Sequence, residues 1–267
     1  MEKEGKMGRK KYFFFDIDGT IAVGIPRRVP ESTERALNAL KEQGHFISIA
    51  TGRMYSMAIE FCEKFGIENM VTDGGNGIVI DGKKEIEPLD KNMMDNILEV
   101  FEEKNIPWSI CVSDERIWYT KDQRFPDSME GVIKIPNYME TRIEPELDFR
   151  KVEKIYKGFA YLDRETEKNI KELENVTYTR YHDEYIILEA DDKSKGIEKI
   201  MEKMGIEDRD VVVFGDNTND IKMFKPQWTS IAMGNSVESL KEVADYVTTD
   251  ADNDGIENAC RHFGWIK

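Results

Sequence analysis

Short apolar runs that stop abruptly at polar clusters constrain this chain more than any other feature. Tyr12-Phe-Phe-Phe15 stops at Asp16, Phe46 to Ala50 stops at Thr51, and Val211 to Phe214 stops at Gly215-Asp216. Apolar runs of this length suit strands buried on both faces. Helix-patterned segments lie between them. Pro30-Glu31-Ser32 supplies a helix start, and Ala36, Leu37 and Leu40 keep helical spacing until Gly44. Met54, Met57, Ala58, Phe61 and Phe65 form a second helical face closed by Gly66, and Met70 to Thr72 gives a third strand. Strand, helix, strand, helix, strand predicts a Rossmann-like α/β core, a parallel sheet with helices on both faces.

The texture then changes. Ile78 to Ile80, the Asp81-Gly82 turn and Glu85 to Glu87 read as a hairpin. A helix is expected from about Asn92 to Lys104, then a second hairpin from Trp108 to Val112 and Ile117 to Thr120. Lys121 to Arg150, with Pro126, Pro136 and Pro145, gives no clear pattern. Ile155 to Leu162, a helix over Arg164 to Leu173, Val176 to Tyr181 and Tyr185 to Leu188 complete a mixed block. From Lys195 the first pattern returns, with helical spacing at Ile197, Ile200, Met201 and Met204 and late strands at Ile231 to Met233 and Tyr246-Val247. The simplest organisation is a core of residues 1–82 and 186–267 interrupted by an inserted α+β domain over 83–185.

Charge and cysteine usage exclude some partners. A net charge of −15 argues against a broad nucleic-acid footprint, which needs a basic face. Cys62, Cys111 and Cys260 are scattered and form no CxxC pair, which fits a reducing cytosol better than a disulfide framework or zinc site. The N-terminus is charged at Glu2, Lys3, Glu4 and Lys6. Its first apolar run, Tyr12 to Phe15, is too short for a signal-peptide core. No stretch approaches the roughly 20 apolar residues of a membrane span. The expected setting is cytoplasmic, with no nucleic-acid or membrane partner; the oligomeric state is not legible.

In open parallel sheets, ligands bind beyond the carboxyl ends of the strands. Four polar clusters qualify. Asp16-Ile-Asp18-Gly19-Thr20 follows the first strand; read alone, Asp-Gly there is equally a turn signal. Thr51-Gly52-Arg53 follows the second and offers a hydroxyl and an amide for a phosphate oxygen, although a helix cap explains it as well. Lys195-Gly196 opens a late helix; Lys193 competes, and the adjacent glycine favours Lys195. Gly215-Asp216-Asn217-Thr218-Asn219-Asp220 concentrates oxygen ligands at a strand end, a donor set that suits Mg²⁺.

The ordered set, Asp-x-Asp-Gly-Thr, Thr-Gly-Arg, Lys-Gly and Gly-Asp-x-x-Asn-Asp, resembles the haloacid dehalogenase superfamily, in particular its Cof-type (type IIB) sugar-phosphatase branch. Met233-Gly-Asn235 and Ala244-Asp-Tyr-Val247 extend the resemblance over both core segments. It implies that Asp16 is a nucleophile taking the phosphoryl group as an aspartyl phosphate. Asp18 would be general acid and then base. Mg²⁺ would be held by the Asp16 and Asp216 carboxylates and the Asp18 backbone carbonyl. Thr51, Gly52, Lys195 and Asn219 would surround the phosphate, with Asp220 supporting the shell. The physics agrees: an anionic nucleophile meeting a dianionic ester needs positive charge to neutralise the approach. Asp73-Gly-Gly-Asn-Gly77 departs from the Ser-Asn-Gly-Ala of many relatives without threatening this chemistry.

The expected activity is a Mg²⁺-dependent phosphomonoesterase acting on a small phosphorylated metabolite, a sugar phosphate foremost. The inserted domain is expected to close over the site, with Trp108, Trp118, Tyr119 and Arg124 as candidate contacts, although buried core is the role expected first of the tryptophans. A phosphomannomutase-type phosphomutase and a non-enzymatic phosphate sensor are the alternatives. The intact Asp16, Asp18, Lys195 and Asp216 count against a sensor, and the second aspartate counts against a dehalogenase. Asp250-Ala-Asp252-Asn-Asp254-Gly255 imitates a calcium loop, but Arg261 stands where the bidentate Glu belongs. His45, His182 and His262 have no ligand spacing.

Overall fold

The computed structural model describes residues 9–24, 27–132, 139–181 and 183–267. Glu2, Lys3, Glu4, Lys6, Pro136 and His182 lie outside the described residues. The strands in chain order are β1 (Tyr12–Phe15), β2 (Phe46–Ala50), β3 (Asn69–Thr72), β4 (Gly77–Ile80) and β5 (Lys83–Ile86); β6 (Trp108–Cys111), β7 (Ile117–Thr120), β8 (Glu140–Ile143), β9 (Lys157–Tyr161), β10 (Tyr178–Tyr181) and β11 (Tyr185–Leu188); then β12 (Val211–Gly215), β13 (Thr229–Ala232) and β14 (Tyr246–Val247). The helices are α1 (Glu31–Glu42), α2 (Tyr55–Lys64), α3 (Lys91–Glu103), α4 (Arg124–Met129), α5 (Arg164–Lys168), α6 (Lys193–Met204), α7 (Glu238–Lys241) and α8 (Gly255–His262).

The chain divides into two compact units. The first holds the chain up to Thr51, Glu60–Glu85 and Asp192–Lys267; the second holds Gly52–Ile59 and Ile86–Asp191. In the first, the described strands form one sheet in the order β14-β13-β12-β1-β2-β3-β4-β5. From β14 to β3 every pairing is parallel, and β4 turns antiparallel to β3. The central strand is aromatic, and alternation sends its rings both ways. Phe14 joins Phe46, Val71, Val213 and the α6 residues Ile197, Ile200 and Met201 in one buried layer. Phe13 points oppositely and meets Trp265 edge-on at 5.0 Å. On that side α1 packs against α8. Helices on both faces of a mostly parallel sheet are therefore what the apolar runs predicted.

In the second unit, six strands run β10-β11-β9-β6-β7-β8, antiparallel except for β7 with β8. Met94, Ile97, Leu98 and Phe101 of α3 cover one face, against Trp108, Ile110, Ala160, Ile186 and Leu188. Phe159, Tyr185, Ile187, Trp118 and Phe125 fill the other.

Several local expectations change. The Asp81-Gly82 turn carries positive φ at both residues, and its strands β4 and β5 extend the first unit's sheet rather than starting the insertion. Conversely β11 pairs with β9 and β10, so the core resumes at Asp192 rather than at residue 186. Helix α5 stops at Lys168 with Asn169 as its C-cap, and a 3₁₀ turn over Lys171–Asn175 replaces the rest of the expected helix. The unpatterned stretch contains α4 and the strand β8.

Phe14 has no exposed surface and stands at the centre of the first sheet. Phe14→Ala should therefore lower the unfolding free energy by about 3–5 kcal/mol, read by denaturant unfolding; a loss under about 1 kcal/mol would contradict this packing.

Candidate active site

Parallel pairing aligns the carboxyl ends of β1, β2, β3 and β12 along one edge. Phe15 lies level with Ile49 on one side and Phe214 on the other. The Asp16 N–H continues the ladder by donating to the Phe214 carbonyl at 3.0 Å. The chain then curls tightly: Gly19 N–H donates to Ala22 O at 2.8 Å and Ala22 N–H returns to Ile17 O. Gly19 is required here twice over. Its φ is +94°, and a Cβ would stand 2.2 Å from an Asp216 carboxylate oxygen. Buried Thr20 donates to Asp216 Oδ1 at 3.1 Å.

One lysine organises the acids. Lys193, 1% exposed, donates to Asp16 Oδ1 and to Asp220 Oδ1, each at 2.6 Å. Asp220 spends its other oxygen on the N–H groups of Asp216 and Asn217, at 2.9 and 3.0 Å, and so shapes the loop after β12. Gly215 permits this, since a Cβ there would sit 2.7 Å from the Asp220 side chain. Carboxylate oxygens of Asp16, Asp216 and Asp220 lie within 4.8 Å of one another, the grouping of metal-ligating type found among the described residues.

The charge balance is uneven. Burial pushes the Asp16 carboxyl up to about 8; Lys193 opposes this, while Asp220, Asp216 and Asp18 add to it. Burial likewise raises Asp216 to about 7, with Asp220 adding and the Thr20 hydrogen bond and Lys193 opposing. Burial works against the Lys193 ammonium, but Asp16 and Asp220 hold its pKa above the ordinary lysine range. Burial, reinforced by the neighbouring carboxylates, thus raises the proton affinity of Asp16 and Asp216 against the pull of the Lys193 ammonium.

This arrangement corrects the choice of lysine. Lys195 is exposed on α6. The Lys-Gly adjacency misleads because Gly196 serves helix packing: a Cβ there would meet Val71 Cγ1 at 2.4 Å. Residues three apart share a helix face, so the lysine on the side of Gly196 is Lys193, whereas Lys195 points about 200° away from Lys193. Asp192 caps the helix by accepting the Ser194 N–H.

The other expected residues are distributed as follows. Thr51 is buried, its N–H on Val71 O at 2.9 Å and its carbonyl accepting from Gly74 N–H at 3.2 Å. Gly52 and Arg53 lie in a bend, and α2 starts only at Tyr55. Asp18 Oδ1 pairs with Arg27 at 2.8 Å, a partner the sequence did not single out. Asn219 is half-buried on the Asp216 loop. The divergent Asp73-Gly74-Gly75 turn joins two neighbours of the site, because the Gly74 carbonyl also accepts the Asp192 N–H at 2.9 Å. Asn235 donates to the Gly19 carbonyl at 2.9 Å and accepts from Ala251 N–H. Asp245 accepts from both the backbone and hydroxyl of Ser230. Both late motifs are therefore braces.

The tryptophans Trp108 and Trp118 are core, and Arg124 is paired with Asp122 at 2.8 Å. Asp250 to Asp254 form the turn into α8. His45 Nδ1 accepts the Lys11 N–H, and His262 stacks on Tyr246 at 4.3 Å.

The protein thus has an α/β core of mostly parallel sheet, an inserted α+β unit and an acidic centre at the strand ends. A family model described as haloacid dehalogenase-like hydrolase matches residues 13–260, and the chain belongs to that family. It is 30% identical to YkrA of Bacillus subtilis (strain 168), provisionally named a phosphatase, over 96% of this chain and 99% of that one. It is 27% identical to the phosphoglycolate phosphatase of Methanopyrus kandleri, over 92% and 94%. The solved structure of the HAD subclass IIB sugar phosphatase BT4131 superposes with a TM-score of 0.76 at 26% identity, covering 96% of this chain and all of that one. With phosphatases matching along its whole length, the chain is a phosphoric monoester hydrolase.

The two lysines separate cleanly. Lys195→Ala should leave stability within about 0.5 kcal/mol and turnover within about twofold. Lys193→Ala strands two buried carboxylates and should cost about 3–5 kcal/mol together with the activity. Phosphate release and thermal unfolding measure both; equal effects of the two variants would refute the assignment.

Proposed function

We propose that the chain hydrolyses a small phosphorylated metabolite, a sugar phosphate foremost, with Mg²⁺ and through an aspartyl phosphate on Asp16. The observation that carries this reading is the Lys193 bridge between Asp16 and Asp220, within a cluster that also includes Asp216. A carboxylate anchored at a strand end and held by a buried ammonium is oriented to attack phosphorus. In the first step a bond forms between Asp16 and phosphorus as the ester P–O bond breaks, and Asp18 protonates the departing oxygen. In the second, Asp18 takes a proton from water, whose oxygen attacks the acyl phosphate and regenerates Asp16. Thr51, Gly52, Asn219 and Lys193 would bind the phosphoryl oxygens, and Arg27 would hold Asp18 while no leaving group is present.

The donor set fits Mg²⁺, a hard cation that takes one or two carboxylates and keeps its waters. Asp16 and Asp216, with the Asp18 backbone carbonyl, would hold it. Asp220 supports them, because both of its oxygens are already engaged. The cation would supply positive charge beside Asp16 and Asp216, whose carboxyl pKa values burial and neighbouring carboxylates push up.

A cytoplasmic setting is supported by three buried free thiols, and no described helix is long and apolar enough to cross a membrane. The leaving group is not specified by the four motif clusters, so its recognition is assigned to the second unit. A phosphate-release screen over sugar phosphates, phosphoglycolate, nucleotides and pyridoxal phosphate identifies the class.

In that assay Asp16→Asn should keep the fold and lower turnover on the order of 10³-fold or more, since an amide cannot form the acyl phosphate; substantial residual turnover would sink the covalent route. EDTA should abolish activity, Mg²⁺ should restore it, and Asp216→Ala should sharply raise the Mg²⁺ required. Raised pKa values mean that protons compete with the cation. Binding should therefore release protons and tighten as pH rises from about 6 to 8. Calorimetry in buffers of different ionisation heat tests this, and pH-independent binding without proton release would contradict it.

A further inference from the structure

The second unit buries an ion pair that the reaction does not account for. Lys157 opens β9 and Glu189 directly follows β11; they are 5% and 4% exposed and form a salt bridge. Lys157 Nζ also donates to the Gly52 carbonyl at 2.7 Å. The Glu189 carboxylate lies against the same residue, 3.9 Å from where a Gly52 Cβ would stand. Buried ion pairs are poor stabilisers: desolvation costs several kcal/mol per ion, and well-packed apolar replacements are often neutral or better. What the lysine grips is therefore the informative feature.

In a planar trans peptide the N–H points opposite the C=O. The Thr51–Gly52 peptide has its carbonyl held by the Gly74 N–H. The next peptide, Gly52–Arg53, has its carbonyl held by Lys157. Gly52 lies between the two, and glycine has the widest backbone freedom of any residue. The Gly74 bond aims the Gly52 N–H, and the Lys157 bond removes the remaining freedom by keeping the next peptide from turning about Gly52 and carrying that N–H away. The chain passes from the first unit to the second at Thr51–Gly52 and back at Ile59–Glu60, leaves again at Glu85–Ile86, and makes its last return at Asp191–Asp192, two residues after Glu189.

We propose that Lys157, held in place by Glu189, is a positioning residue that presets the Gly52 backbone to donate its N–H to the substrate's phosphate. Lys157 touches no substrate; it acts through the loop. The inference rests on the reading of Thr51 and Gly52 as phosphate-binding.

The test combines thermal unfolding with calorimetric titration of inorganic phosphate into the Mg²⁺-loaded protein. Lys157→Met leaves Glu189 buried and uncompensated, and should lower both Tm and phosphate affinity. The double variant K157M/E189L fills the space without charge. Its Tm should return to within about 5 °C of wild type, while its phosphate Kd stays raised about tenfold or more, the loss expected for one charge-assisted hydrogen bond. Wild-type phosphate affinity in either folded variant overturns the proposal. A double variant as unstable as the single one overturns it too, because the pair is then a stability element. A wild-type protein that neither binds phosphate nor releases it from any ester removes instead the underlying reading of the site.

Discussion

The double contact of Lys193 is the interaction on which the rest depends. It joins Asp16 at the end of β1 to Asp220 beyond β12, so two loops far apart in sequence converge on one ammonium. Burying that charge is tolerable only because both carboxylates are fixed from behind. Asp16 is fixed by the β1–β12 ladder, and Asp220 by two backbone amides. Remove any of these and an unpaired ion is left in the interior. The glycines at 19 and 215 belong to the same logic, since each yields the space a side chain would take from Asp216 or Asp220.

The supports divide between machinery and scaffold in a way their chemistry explains. Under the proposed reaction, the groups that face developing charge are acids at strand ends and a lysine in the first turn of α6. Beside the Asp220 carboxylate, several groups that hold those strand ends are neutral: Asn235 on the Gly19 carbonyl, the Gly74 peptide on Thr51 and Asp192, Thr20 on Asp216. Neutral donors and acceptors fix geometry without adding to a field that already carries excess negative charge. Asp245 is an acid in such a role, but it sits at the β13–β14 edge and binds Ser230.

What the sequence made legible followed from local rules. The strand ends were visible because four or five apolar residues followed by Asp, Thr or Gly mark a strand leaving its sheet, and parallel pairing then placed those ends together. Asp16, Asp18, Asp216 and Asp220 stood out as polar clusters at those ends, and the roles expected of them came from the resemblance of the ordered motifs. Lys193 was missed because adjacency in sequence was weighed above the helical period; Gly196 faces Val71, and its partner on that face is three residues earlier. The expected boundary at residue 83 cut through the β4–β5 hairpin for a different reason. A hairpin is a local object, whereas its choice of neighbouring strand is a long-range contact that local patterning does not encode. Helix α4 and strand β8 fell below the length at which periodicity speaks. Arg27 and the Lys157–Glu189 pair carried no motif; only the folded chain brings them to Asp18 and Gly52.

The pairing of Tyr12 with Val211 carries a consequence for biosynthesis. During translation β1 leaves the ribosome long before the strand that will cover its flank. The inserted unit, whose sheet is built wholly from residues between 108 and 188, has its complete set of strands while β12 is still unmade. The nascent chain therefore carries a waiting aromatic strand with one open edge, the kind of surface that recruits unwanted partners. It also lacks Asp216 and Asp220, which arrive only with β12 and its loop. Under the role proposed for these two acids, hydrolytic capacity is acquired late in synthesis, once β12 and its loop have been made.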